Sequence, residues 1–89
     1  MKVMFSTRAW EQYAQWAMTD RRGLKRINVL IADIQRNPDD GNGTGKPEML
    51  KGALKDWRSR RITEEHRLVY RASGDVLEIA RVYGHHTDR

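Results

Sequence analysis

The sequence contains no cysteine among its 89 residues, only two prolines and a single phenylalanine. Without cysteine there is no disulfide framework, no thiolate ligand for zinc and no cysteine nucleophile. No stretch approaches the roughly 18 consecutive apolar residues of a membrane-spanning helix, and the apolar run at the N-terminus is too short for a signal peptide. We therefore expect one domain over residues 1–89 that acts in the cytoplasm, away from membranes.

Positive charge is what the sequence has in excess. Seventeen lysines and arginines stand against twelve aspartates and glutamates, which gives a formal charge of +5. A polyanion is the natural partner of such a small basic domain, although a merely solubilising surface is the alternative. Net charge does not distinguish a nucleic acid from an acidic protein.

The spacing of apolar residues predicts an α+β fold. Residues 2–5 suit a strand, and aromatic residues then follow with helical spacing, which we interpret as core packing: Trp10, Tyr13 and Trp16. A second helix buries an aliphatic stripe and ends before Pro38: Leu24, Ile27, Leu30, Ile31 and Ile34. Strands are predicted over 57–63, 66–72 and 76–83, joined by short turns and therefore antiparallel. We expect an N-terminal strand and two antiparallel helices packed on one face of a small, mainly antiparallel sheet.

The second half of the chain carries a dense cationic set: Lys46, Lys51, Lys55, Arg58, Arg60, Arg61, Arg67, Arg71 and Arg81. Strand alternation places Arg67 and Arg71 opposite Leu68 and Tyr70, and hence on the open face of the sheet. Guanidinium groups on an open sheet face suit phosphates, because each can donate two parallel hydrogen bonds. The alternative is a solvated face paired with acids at positions 64, 65 and 78.

Three histidines complete the reactive residues. His66 falls on the helix-covered face with Leu68 and is interpreted as structural. His85 and His86 are adjacent near the C-terminus, behind a glycine that allows a sharp turn after the last strand. They lack the i, i+4 spacing of a helical zinc pair, so neither a metal nor another cofactor is expected.

RNA can be cut without a metal when its own 2′-hydroxyl attacks the neighbouring phosphate. That reaction needs a base for the hydroxyl proton, an acid for the leaving oxygen and cations for the charge on the phosphate. Glu48, His85 and the arginines supply these groups, but composition alone does not choose them from twelve acids.

Two segments resemble the YoeB/Txe family of bacterial toxins. They are Gly45-Lys46-Pro47-Glu48-Met49-Leu50-Lys51 and Ser59-Arg60-Arg61-Ile62-Thr63-Glu64-Glu65-His66-Arg67-Leu68-Val69-Tyr70, with Gly84-His85 at the end. The match runs from about residue 1 to 86. The resemblance implies a RelE-like fold, ribosome-dependent cleavage of mRNA in the 30S A site with contacts to rRNA, and neutralisation by a YefM-like antitoxin. A homodimer also fits it.

The same resemblance implies roles for individual residues. Glu48 is the general base, Arg67 stabilises the phosphate and His85 is the general acid. Lys51 and Arg61 add cationic contacts to the substrate, as does Lys46 from the same set. The family often has tyrosine after the terminal histidine where this chain has His86, so His86 is the second candidate for the acid.

Two other functions are open at this point. A toxin of the ParE type binds a protein target such as gyrase and cuts nothing, and Glu48 together with His85 argues against it, because a binder needs neither base nor acid. A non-catalytic ribosome-binding or RNA-binding module would use the arginines alone. Catalytic variants separate these functions, because binding would survive while cleavage would not.

Overall fold

The computed structural model describes residues 1–39 and 41–84. In chain order the elements are β1 (Lys2–Phe5), α1 (Thr7–Thr19), α2 (Arg21–Arg36), β2 (Glu48–Met49), a 3₁₀ turn (Gly52–Leu54), β3 (Arg58–Arg61), β4 (Arg67–Ser73) and β5 (Val76–Arg81). The predicted order of one strand, two helices and a run of strands is confirmed. Within the described ranges, no helix is long and apolar enough to cross a membrane.

Side-chain caps define where the two helices begin. The hydroxyl of Ser6 accepts a hydrogen bond of 3.0 Å from the Ala9 amide at the start of α1. Asp20 is the single residue between the helices, and its carboxylate accepts from the Gly23 amide at 3.0 Å. Each cap satisfies one of the amides that a helix N-terminus leaves without a partner. Both starts agree with the prediction from sequence.

The helices are antiparallel, as predicted. The Tyr13 hydroxyl donates to the Asn28 side chain at 2.7 Å, while Trp16, one turn further on, meets Gly23 near the start of α2. Contacts that advance along α1 while retreating along α2 require opposite directions. A β-carbon on Gly23 would lie 2.1 Å from the Trp16 ring, so only glycine permits this close approach.

The five strands form one sheet in the order β1-β5-β4-β3-β2. β1 pairs with β5 in parallel, and the other three pairings are antiparallel. The sheet is therefore mainly antiparallel, as predicted. The turn at Gly74, where φ is +60°, joins β4 to β5 at the predicted position.

One face of the sheet and the two helices enclose the core. Leu68 and Tyr70 of β4 and Leu77 and Ile79 of β5 are buried, as the period of two requires. They pack against the aliphatic stripe of α2, in which three residues are fully buried: Ile27, Leu30 and Ile34. The α+β class inferred from sequence is confirmed, and residues with the opposite parity are left for the other face.

The expectation that this other face is open to water was wrong at its centre. Arg67, Ser59 and Val69 are buried there. Arg71 pairs with Glu78 at 2.8 Å, and its guanidinium lies 4.4 Å from the centroid of the Trp57 ring. The pairing with Glu78 agrees with the alternative weighed for this face. Arg71 is therefore held by the fold rather than displayed for a ligand.

The interpretation of the aromatic stripe of α1 as core holds for Trp16 and fails for Trp10. Trp16 is buried, and its indole N–H donates to the Val82 carbonyl at 2.7 Å. Trp10 is 57% exposed. It stacks on Tyr13 with ring centroids 5.8 Å apart and meets Phe5 edge-on at 5.7 Å. Helical spacing gave the correct face for Trp10 but not its depth, because it lies at the rim of the helix–sheet interface.

Candidate active site

A bend at Gly45 and Lys46 brings the chain to β2. Both residues have positive φ, +86° and +54°. A β-carbon on Gly45 would lie 2.8 Å from the Leu30 side chain and 3.1 Å from the Arg61 carbonyl, so glycine is required there. The Gly45 carbonyl accepts a hydrogen bond of 2.7 Å from the Arg61 amide. This bond ties the bend to the end of β3 and sets the direction in which Glu48 enters the sheet.

A buried ion pair anchors the loop that precedes this bend. Arg60 is fully buried and forms an ion pair with Asp33 of α2. Arg60 Nη1 also donates to the Thr44 carbonyl at 3.2 Å, and the Thr44 amide donates to Asp33 at 3.3 Å. The hydrogen bond from Arg60 lowers the pKa of Asp33. Burial disfavours the charge on Arg60, but its bonds to Tyr70 and Asp33 outweigh this effect and raise its pKa. This cation stabilises the fold.

Arg67 is the best-positioned cation of the site. Its side chain is only 9% exposed. Nε donates to Ser59 Oγ at 2.9 Å, and Nη2 donates to the Lys46 carbonyl at 3.3 Å. Nη2 also lies 3.7 Å from Oε1 of Glu48, whose side chain is 54% exposed. A held guanidinium thus lies beside a carboxylate that a ligand can reach.

The strand register explains why these groups meet. Glu48 of β2 is directly opposite Ser59 of β3. Two residues along β3, Arg61 is directly opposite Arg67 of β4. Cross-strand partners point to the same face, so the carboxylate, the hydroxyl and the two guanidinium groups share one side of the sheet.

The electrostatics of this cluster favour an anion. Burial lowers the pKa of Arg67, and the charge of Arg61 lowers it further, whereas Glu48 acts in the opposite direction. Like charges directly opposite each other in a sheet destabilise it. A bound phosphate would relieve that repulsion and could accept paired hydrogen bonds from guanidinium groups.

The structure brings together four of the predicted site residues: Lys46 through its carbonyl, Glu48, Arg61 and Arg67. Lys51 is exposed and stands before the 3₁₀ turn. His85 and His86 lie outside the described residues. Their predicted roles, like those of the other site residues, remain predictions. The residue before them, Gly84, is described, and its carbonyl accepts from the Arg67 amide at 3.1 Å.

Ser59 and Asp33 are contributors that sequence reasoning did not single out. Alternation had placed Ser59 on the face of Arg61, so a small hydroxyl among arginines was the available signal for it. No comparable signal existed for Asp33, because its partner Arg60 is 27 residues away in the chain.

The architecture defines the class of protein first. The YafQ toxin of Escherichia coli has the same fold, with a TM-score of 0.69 over 93% of this chain and 91% of its own, at only 18% identity. The family follows from closer similarity. Residues 5–86 match the model of the YoeB-like toxin of bacterial type II toxin-antitoxin systems, and the chain belongs to that family.

Individual relatives support this assignment. The chain is 49% identical over 86 residues to the YoeB toxin of Streptomyces coelicolor, covering 97% of this chain and 100% of the relative. It is 51% identical over 80 residues to that of Escherichia coli K12, covering 90% and 93%. Among solved structures, a YoeB/ParE toxin from Agrobacterium tumefaciens superposes with a TM-score of 0.91 at 43% identity, covering 97% and 100%.

Two solved structures from Staphylococcus aureus contain partners. In one, YoeB forms a heterotetrameric complex with YefM; it has a TM-score of 0.88 and 40% identity, covering 97% of this chain and 98% of that chain. In the other, YoeB is a dimer, with a TM-score of 0.89, 40% identity and the same coverage.

Proposed function

We propose that this toxin is a ribosome-dependent endoribonuclease that cleaves mRNA by attack of the 2′-hydroxyl on the adjacent phosphate. The observation that carries the proposal is the exposed Glu48 carboxylate 3.7 Å from the buried Arg67 guanidinium, opposite which lies Arg61. A protein that only binds an anion gains nothing from a carboxylate in that position. A nuclease needs one as a base.

The chemistry divides among three residues. Glu48 accepts the proton of the 2′-hydroxyl as its oxygen bonds to phosphorus. Arg67 has five N–H donors, of which Ser59 and Lys46 engage two, so three remain for the oxygens that gain charge. His85, or His86 in its place, donates a proton to the departing 5′-oxygen. The products are a 2′,3′-cyclic phosphate and a 5′-hydroxyl, and no group outside the chain is required to balance them.

Pre-organisation is the main contribution of the fold to this reaction. The bonds from Arg67 to Ser59 and Lys46 fix the guanidinium before substrate arrives, so it does not have to reorient as charge develops. Lys51 and Arg61 would bind the flanking backbone of the message. A large share of the affinity for the ribosome would then come from cations other than Arg67 and depend on salt.

A defined translating ribosome complex tests the proposal. Purified toxin is added, the cut in the message is mapped, and the ends of the fragments are identified. We expect a cut in the A-site codon, with a cyclic phosphate or a 3′-phosphate on the upstream fragment. Cleavage should persist with a chelator that removes transition metals but spares the magnesium that ribosomes need. A 3′-hydroxyl on the upstream fragment would exclude the attack described above, and intact message on toxin-bound ribosomes would favour a binding protein.

We further propose that a YefM-like antitoxin neutralises the toxin by covering this cationic face. An acidic segment that folds on binding would satisfy Arg61 and Arg67, or displace the residues around His85. Cognate antitoxin should block cleavage and raise the melting temperature by mass action. Undiminished cleavage by a saturated complex would contradict this. The dimer seen for the S. aureus relative makes a homodimer the expected state of the free toxin, which sedimentation analysis tests.

A further inference from the structure

Gly84 is held at both of its backbone polar groups by two consecutive residues. Its N–H donates to Nδ1 of His66 at 2.7 Å, and its carbonyl accepts from the Arg67 amide at 3.1 Å. Its φ of +78° is a conformation that glycine adopts readily. We call this pair of hydrogen bonds the Gly84 clamp. It lies three residues beyond the end of β5 and immediately before His85.

The His66 ring is oriented by two other aromatic residues. It lies against Tyr83 with ring centroids 4.2 Å apart and planes inclined by 31°. The edge contact with Trp16 has a centroid distance of 5.3 Å and an angle of 89°. Because Nδ1 accepts the Gly84 N–H, the ring in this state carries its proton on Nε2. The acceptor nitrogen is therefore directed at the backbone rather than at solvent or substrate.

The position of the clamp connects it to the active site proposed above. Arg67 donates its amide to Gly84 while its side chain lies beside Glu48. Trans peptide geometry fixes consecutive α-carbons about 3.8 Å apart, so holding Gly84 restricts where the next residue can begin. A catalytic group misplaced by about 1 Å can lose about 10²-fold in rate.

We infer that His66 is a positioning residue for the C-terminal general acid. Its Nδ1 holds Gly84 so that His85 starts from a fixed point relative to Arg67 and Glu48. His66 itself contacts neither the base nor the phosphate-binding guanidinium with its side chain in the described part of the chain. The inference rests on the proposed nuclease function and extends it to a residue that sequence analysis took as structural.

Two substitutions separate positioning from packing. His66→Phe keeps a ring that can pack against Tyr83 and Trp16 but lacks the acceptor. His66→Asn loses the ring but retains an acceptor, because its Oδ1 is as many bonds from Cα as Nδ1 is. If His66 positions the acid, Phe should lower the single-turnover cleavage rate on saturating ribosomes by about 10²-fold. Asn should recover about tenfold of that loss, although it should have the lower melting temperature. A packing role predicts the reverse order of rates.

The clamp can also be measured in the free toxin, independently of cleavage. With ¹⁵N labelling, scalar coupling across the N–H···N bond should join the Gly84 amide nitrogen to Nδ1 of His66, with the proton on Nε2. His66→Phe should abolish the coupling and shift the Gly84 amide resonance. A folded wild-type toxin without this coupling would overturn the inference.

The outcomes of these experiments are distinct. If wild-type toxin leaves ribosome-bound mRNA intact, the proposed function fails, and with it the purpose assigned to the clamp. If wild-type toxin cleaves and His66→Phe is as fast as His66→Asn or faster, the nuclease function stands and the positioning role is wrong. Cleavage in the order wild type, Asn, Phe, with the coupling present only where Nδ1 is present, supports it.

Discussion

Glu48→Gln should remove most of the cleavage activity while hardly changing stability. The substitution keeps the shape and hydrogen-bonding capacity of the side chain but removes its basicity. Losing a general base typically costs about 10²–10⁴-fold in rate, which is about 3–5 kcal/mol of barrier. The structure limits the stability effect, because the contact with Arg67 spans 3.7 Å and the carboxylate is 54% exposed. Coulomb's law gives about 4 kcal/mol at a dielectric constant of 20, which solvent screening and side-chain entropy reduce to about 1 kcal/mol or less.

Single-turnover cleavage and thermal unfolding, measured on the same preparations, test this expectation. A loss of 1 kcal/mol lowers the melting temperature of a domain of this size by about 4–8 °C, which sets the upper limit for Glu48→Gln. Glu64→Gln removes the same charge from an exposed turn and should cleave normally. Arg67→Ala should reduce both rate and stability, since it removes a buried side chain bonded to Ser59 and Lys46. Near-normal cleavage by Glu48→Gln would refute its role as base.

Three further substitutions test other parts of the molecule. Asp33→Ala should lower the free energy of unfolding in urea by about 3 kcal/mol, because Arg60 stays buried without its partner; in the wild type, whose Asp33 pKa is lowered, this stabilisation should be present above pH 3.8 and be lost as the pH falls through the lower folded value. An unchanged urea midpoint would contradict it. Gly84→Ala should destabilise by about 1 kcal/mol and slow cleavage, because φ is +78° there. His85→Ala should abolish cleavage while His86→Tyr preserves it; the opposite result would make His86 the acid.

The fold was predictable because its signals are local. The aliphatic stripe of α2, the cap at Asp20 and the turn at Gly74 each act within a few residues, and each appears where the sequence indicated. The parallel pairing of β1 with β5 was not predicted. It joins residues more than 70 positions apart, and no periodicity within either strand specifies the partner.

The site was less predictable because burial of charged residues depends on the whole fold. Alternation put Arg67 on the correct face of the sheet, but sequence could not indicate that Ser59 and the Lys46 carbonyl would enclose it. Arg60 sits beside Arg61 in the chain and differs from it in every contact, because odd and even positions of β3 face opposite sides. The identity of the catalytic acid among twelve came from family resemblance rather than from patterning.

The opposed pair Arg61 and Arg67 gives the last prediction. The two cations are direct cross-strand partners, and Arg61 lowers the pKa of Arg67. Cross-strand pairs contribute about 0.2–1 kcal/mol, and like charges make that contribution unfavourable. Arg61→Gln should therefore raise the melting temperature by a few degrees at low salt, with a smaller gain at high salt, where the repulsion is already screened.

The same substitution should weaken function. Removing one phosphate contact should lower the salt dependence of message binding by about one charge, and binding of the antitoxin should weaken as well. A protein selected only for stability would replace one arginine of this pair, so retaining both makes sense if an anion binds between them. If Arg61→Gln instead lowered the melting temperature and left binding of both partners intact, the two arginines would be structural, and the cationic face would lose its claim to be the site.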